Sequence, residues 1–227
     1  MGEQNGKKYD ARYFAIILDC SGSMDSVRDA TIRTVNEQIQ TIEEACKQDS
    51  EVFVTLTLFR DTAEIVFFNK NISELRPLTR ETYEPKGSTA ELDAIGITID
   101  HLEDEVEDNC PVTVFIISDG EENASRKFSR DLIAEEIKKL QATNFWTFAF
   151  VGANVDVLKE AASLGIPAGN TLSYANTDAG YRSLSATLST ATMASVTSGA
   201  SSSASYFSPP IPTEWQGDPN KGPVNPH

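Results

Sequence analysis

Apolar residues along this chain follow two spacings. Runs without a polar break, such as Ile16-Ile17-Leu18 and the PVTVFIIS stretch from Pro111, fit strands covered on both faces. Elsewhere the apolar positions recur near every 3.6 residues, as at Val27, Ile32, Val35, Ile39 and Ile42, which marks one face of a helix. This patterning predicts strands over 13–18, from Val52, from Glu64, from Pro111, from Phe145 and over 171–174. It predicts helices over 27–47, 90–102, from an N-cap at Ser129 to about 140, over 155–164 with Gly165 as the stop, and over 178–196. Only Arg60-Asp61-Thr62-Ala63 separates the second and third strands, so those two form an antiparallel hairpin. Strand and helix otherwise alternate. The fold class is therefore α/β: a doubly wound, mostly parallel sheet with one antiparallel edge strand and helices on both faces.

Composition narrows the function. The chain has 227 residues, enough for one sizeable core, and 40% of them are hydrophobic. Thirty-four acidic residues against 19 basic ones give a formal net charge of −15. That balance excludes sequence-independent binding to phosphate backbones and docking on an anionic membrane, and self-repulsion favours a monomer. Cys20, Cys46 and Cys110 are odd in number and widely spaced, so they imply buried thiols and no disulfide framework. No segment has the length of a membrane span, and the polar start MGEQNGKKYDARY lacks an apolar signal core. The expected location is cytoplasmic. The expected organisation is a polar lead-in over 1–11, one domain over 12–197, and a disordered Ser/Pro/Gly-rich tail over 198–227. Tyr206, Phe207 and Trp215 are the only large aromatic groups of that tail, which is expected to be idle.

The chemistry gathers at strand ends. The first strand stops at Asp19, and Ser21 and Ser23 follow on one tight turn relaxed by Gly22. The PVTVFIIS strand likewise ends in Ser118-Asp119-Gly120-Glu121. Gly87-Ser88-Thr89 stands just before a predicted helix. In open α/β sheets, ligands bind outside the carboxyl ends of the strands, so the three segments can converge. Two carboxylates and several hydroxyls form a hard oxygen set suited to Mg²⁺, with Mn²⁺ or Ca²⁺ as alternatives, and unsuited to zinc or copper.

The D-x-S-x-S run at Asp19–Ser23, Thr89 within GSTAELDAI, and Asp119 within SDGEEN resemble the metal-ion-dependent adhesion site of the von Willebrand factor A domain family. The resemblance covers about residues 13–196. It implies a Rossmann-like sheet of about six strands. It also implies that Ser21 and Ser23 bind the metal directly, that Thr89 binds it directly or through water, and that Asp19 and Asp119 hold its shell. The implied activity is non-enzymatic: the metal is completed by an Asp or Glu of a protein partner. Gly87, Ser88, Glu121, Arg126 and Lys127 are the positions expected to meet that partner, the last two by steering an acidic segment. Lack of an anchor makes the chain resemble free-standing bacterial members, similar to proteins found with MoxR-type AAA+ ATPases or with kinase–phosphatase modules of stress responses. Glu91 stands where many relatives carry an apolar residue, and is expected to face solvent.

A second reading stays open. Haloacid-dehalogenase-like phosphohydrolases also end an apolar strand in an aspartate, with Mg²⁺ held by a later acidic motif. Asp19 would then be the nucleophile. That pattern needs an acid/base aspartate two residues on, where this chain has Ser21, whose hydroxyl titrates far above neutrality.

Overall fold

A computed structural model describes residues 9–47, 51–153 and 156–207. Six strands form one sheet: β1 (Ala11–Asp19), β2 (Glu51–Phe59), β3 (Ala63–Asn71), β4 (Val112–Ser118), β5 (Trp146–Gly152) and β6 (Thr171–Ser173). Their order is β3-β2-β1-β4-β5-β6, and every pairing is parallel except β2 with β3. The helices are α1 (Arg28–Ala45), α2 (Glu91–Glu105), α3 (Arg130–Ala142), α4 (Val157–Ser163) and α5 (Asp178–Thr197). The expected α/β class, the hairpin and the edge strand are all present. The first helix begins later than its apolar pattern, because a 3-10 turn over Gly22–Val27 comes first.

Strand alternation sorts the core into two layers. Phe14, Ile16 and Leu18 point to the layer that holds α1 and α5, while Tyr13, Ala15 and Ile17 point to the layer of α2, α3 and α4. Both faces of β1 are thus covered, which explains its unbroken apolar sequence. The chain runs outward from β1 to β2 on one side and reaches β4 on the other. The carboxyl ends of β1 and β4 therefore flank the point where strand order reverses, and Asp19 and Asp119 stand there.

Local chemistry sets the element ends. Ser129 accepts the Leu132 N–H and so caps α3, as its sequence context predicts. Gly165 follows α4 with φ of +74°, in the left-handed region that glycine enters without cost. Gly96 lets α2 lie against the Phe128 ring, where a Cβ would stand 2.4 Å from the nearest ring atom.

Two domain bounds need correction. Tyr9 and Ala11 are buried, and β1 already begins at Ala11, so the domain starts before residue 12. Residues 199–207 do not leave the domain as an idle tail. Tyr206 is buried edge-on against Phe115, its hydroxyl pairs with Thr192 at 2.7 Å, and its N–H donates to Asn170 Oδ1. Phe207 N–H donates to the Gly169 carbonyl. Trp215 lies outside the described residues.

Candidate metal centre

Asp19 ends β1 with its side chain fully buried. Its Oδ1 accepts the Ser21 N–H at 2.7 Å, which folds the D-x-S turn back on the strand end. Its Oδ2 accepts the Ser118 hydroxyl at 3.0 Å and the Asp119 N–H at 3.4 Å, tying the ends of β1 and β4 together. The Ser21 and Ser23 hydroxyls lie 3.0 Å apart, and Ser23 donates to Asp119 Oδ1 at 2.5 Å. The third loop arrives through the backbone: Gly22 N–H donates to the Gly87 carbonyl and Lys86 N–H to the Cys20 carbonyl. Thr89 is held between its N–H, donated to Asn123 Oδ1, and its carbonyl, which accepts from Asn123 and Ala124.

The three loops share one small space above Gly120. A Cβ built on Gly120 would lie 3.4 Å from Thr89 Oγ1 and 4.0 Å from both Asp19 Oδ2 and Ser23 Oγ. The glycine keeps that space clear. Burial pushes the Asp19 carboxyl above its ordinary range, and the charge of Asp119 adds to this against the bonds from Ser21 and Ser118. Burial pushes Asp119 up too, against the bonds from Ser23 and Asn176. Among the described residues, no Lys or Arg is ion-paired with either aspartate. Two adjacent buried carboxylates without a cationic side chain, ringed by hydroxyls, fit a hard divalent cation. No group of three or more His, Cys, Asp or Glu side chains gathers among the described residues, so any cation here depends on hydroxyl oxygen.

Of the positions expected to meet a partner, Gly87 and Ser88 are exposed beside the Gly22 turn. Asp61 shapes them: its Oδ1 accepts the Ser88 N–H at 2.9 Å, and Gly87 adopts a φ of +78° with the Asp61 carboxylate packed where a Cβ would go. Glu121 is exposed next to Gly120. Arg126 and Lys127 are exposed, but their backbone N–H groups donate to Asp93 on α2. The loop after β4 is thus pinned to α2 rather than free.

Three features escaped the sequence reading. Asn176, on the loop between β6 and α5, donates to Asp119 Oδ2 at 3.0 Å, while its own Oδ1 is buried without a partner. Tyr83 donates from its hydroxyl to the Asp19 carbonyl at 2.6 Å. Glu122 accepts the Leu92, Ala124 and Ser125 N–H groups, so it closes the loop instead of facing a ligand. The dense polar spacing of SDGEEN was the only local hint of that loop-closing role.

Glu91 is a correction. Expected at the surface, it is 1% exposed, and neither carboxyl oxygen has a hydrogen-bond partner. The position belongs to the buried face of α2, as an apolar residue there would. Burial pushes its carboxyl up to about 8, with repulsion from Glu160, Asp19 and Glu122 adding to the effect. The nearby Ser118 hydroxyl is already committed to Asp19.

Residues 14–122 match the model of the von Willebrand factor type A domain. Solved structures agree across the rest of the sheet. A von Willebrand factor type A protein from Catenulispora acidiphila is 16% identical with a TM-score of 0.54, over 82% of this chain and 43% of that one. The mussel byssus proximal thread matrix protein 1, solved with a zinc-occupied MIDAS motif, is 14% identical with a TM-score of 0.57, over 83% and 46%. The manganese-loaded Plasmodium vivax TRAP protein is 18% identical with a TM-score of 0.57, over 81% and 74%. The first two matches span less than half of those relatives' own length. No curated protein matches the chain. The match to the von Willebrand factor type A domain thus covers residues 14–122, and the sheet as a whole has the Rossmann-like fold of these structures. No described helix is long and apolar enough to cross a membrane.

Proposed function

We propose that this domain is a metal-dependent protein-interaction module that takes a partner's Asp or Glu side chain at the site above Gly120. The observation that carries this reading is the convergence of Asp19 and Ser23 oxygens from the loop after β1 with the Thr89 oxygen, above Gly120 of the loop after β4, with no Lys or Arg ion-paired with the carboxylates among the described residues. Ser21, Ser23 and Thr89 would hold Mg²⁺, with Mn²⁺ or Ca²⁺ as alternatives, and Asp19 and Asp119 would orient them. A hydroxyl-rich shell leaves much of the ion's charge unneutralised, so the bound ion attracts an outside carboxylate. Ser23, Gly87 and Ser88 form the exposed rim against which that partner would seat. Asp19 is fully buried and already spends both oxygens on Ser21, Ser118 and Asp119, which favours binding over an attacking carboxylate. By family analogy, the partner class is an AAA+ ATPase of the MoxR type or a kinase–phosphatase module of a bacterial cytoplasmic stress system.

The test is retention of a partner from lysate by wild type and Asp19→Ala, in Mg²⁺ and in chelator. Retention only by wild type in Mg²⁺ supports the reading. Retention that ignores both metal and mutation overturns it. Phosphate-ester turnover by wild type, lost in Asp19→Asn, would replace it with the phosphohydrolase reading.

A further inference from the structure

Along α5, the helix and the returning chain form a groove. Its volume is about 370 Å³, and it is lined by Ser183, Ala186, Thr190 and Ala194 of the helix with Tyr206 and Phe207 as an aromatic wall. No lining residue carries a charge. The groove is wide because the helix presents small side chains there, while the two aromatic rings stand edge to face at 5.3 Å. The chain reaches this wall at Phe207 and continues as Ser208-Pro209-Pro210-Ile211-Pro212-Thr213-Glu214-Trp215.

We propose that residues 209–215 dock in this groove as a left-handed polyproline strand. Three prolines in four positions fix φ near the polyproline value, so the segment loses little entropy on binding. Such a helix has three residues per turn, which puts Pro209, Pro212 and Trp215 on one face. At about 3.1 Å per residue, Pro209 to Trp215 spans roughly 19 Å. The helix floor from Ser183 to Ala194 is about 16 Å at 1.5 Å per residue, so the lengths match. An uncharged groove with an aromatic wall is the surface that takes proline-rich strands. Residues 208–213 are themselves uncharged, and the tether at Phe207 gives the segment a high effective concentration.

The test reads Trp215 in the full chain. Acrylamide quenching of wild type minus that of Trp215→Phe isolates it from Trp146, and a synthetic peptide of residues 208–227 supplies the free reference. Docking predicts quenching at least threefold weaker than in the peptide, unchanged on hundredfold dilution. Thr190→Glu puts a charge on an exposed floor position and should restore peptide-like quenching. Pro212→Gly lies beyond the described domain, cannot unfold it, and should weaken protection at least twofold. Peptide-like quenching in wild type overturns the proposal. So does protection lost on dilution, which would give the groove to a second copy, and so does protection indifferent to both substitutions.

Discussion

Glu91 and Asp93 sit two residues apart in the first turn of α2, and the protein treats them in opposite ways. Asp93 receives three backbone donors: Arg126 N–H on one oxygen, and Lys127 and Phe128 N–H on the other. Glu91 receives none. Burial alone would push both carboxyls up; at Asp93 the three N–H bonds overturn that and leave it below its ordinary value. One side chain organises the loop that carries Asp119. The other is a buried carboxyl without a hydrogen-bond donor, with the carboxylates of Glu160, Asp19 and Glu122 near enough to repel it. Sequence position on a helix therefore does not set the energetics of an acid; the donors that tertiary structure aims at it do.

The sharpest way to break this contrast is pH. Glu91 binds its proton more tightly folded than unfolded, so metal-free protein is most stable below about pH 4.5 on its account. That stability is lost as pH rises toward about 8, at about 1.4 kcal/mol per pH unit where the slope is steepest. Glu91→Leu should flatten the slope and raise stability at pH 8 by about 3 kcal/mol, read by urea unfolding in chelator. A slope that survives the substitution would mean Glu91 finds a partner in solution.

Asp93 works with the opposite sign: its contribution is present above its ordinary carboxylate range and disappears on acidification through the lowered folded value. Asp93→Ala leaves three N–H groups without their acceptor and should cost about 3 kcal/mol near neutrality. An unfolding midpoint unchanged within error would refute the pinning role.

The remaining predictions concern the metal loops that this pinned segment supports. Asp19→Ala should lower Mg²⁺ affinity about 100-fold by calorimetric titration, equivalent to roughly 2.7 kcal/mol. Gly87→Ala forces a side chain into left-handed backbone against the Asp61 carboxylate, and should cost about 2 kcal/mol of stability. Pairing it with Asp61→Ala should recover the part due to the clash. Asn176→Ala removes one donor from Asp119 and should weaken Mg²⁺ about 10-fold while the fold persists. Unaltered affinity would reduce Asn176 to a loop spacer.

Much of the architecture was legible from one-dimensional spacing. Ile16-Ile17-Leu18 and the Val112–Ser118 run read as strands covered on both faces, and the close link over 60–63 read as a hairpin. Asp19, Ser21, Ser23 and Asp119 were legible as candidate ligands because they stand at or just past the end of an apolar run, and Thr89 because it precedes a helix within the GSTAELDAI segment. Asn176 was not: it is an ordinary turn residue until a loop 57 positions away brings Asp119 to it. Glu91 misled for the same reason, since a charged side chain reads as exposed unless its neighbours are known. Tyr206 and Phe207 misled because Ser-rich surroundings hid an anchor whose partners, Phe115, Thr192 and Asn170, lie on three other elements.

By itself, then, the sequence determined what periodicity and local turn chemistry can encode: strands, helices, and oxygen-bearing residues at strand ends. Strand order, the reversal between β1 and β4 and the space above Gly120 came only with tertiary structure. So did the opposite fates of Glu91 and Asp93. The physical reason is that burial and hydrogen-bond partnership are properties of positions in space. A carboxyl's charge, a glycine's clearance and an aromatic's anchorage are all settled by atoms far away along the chain.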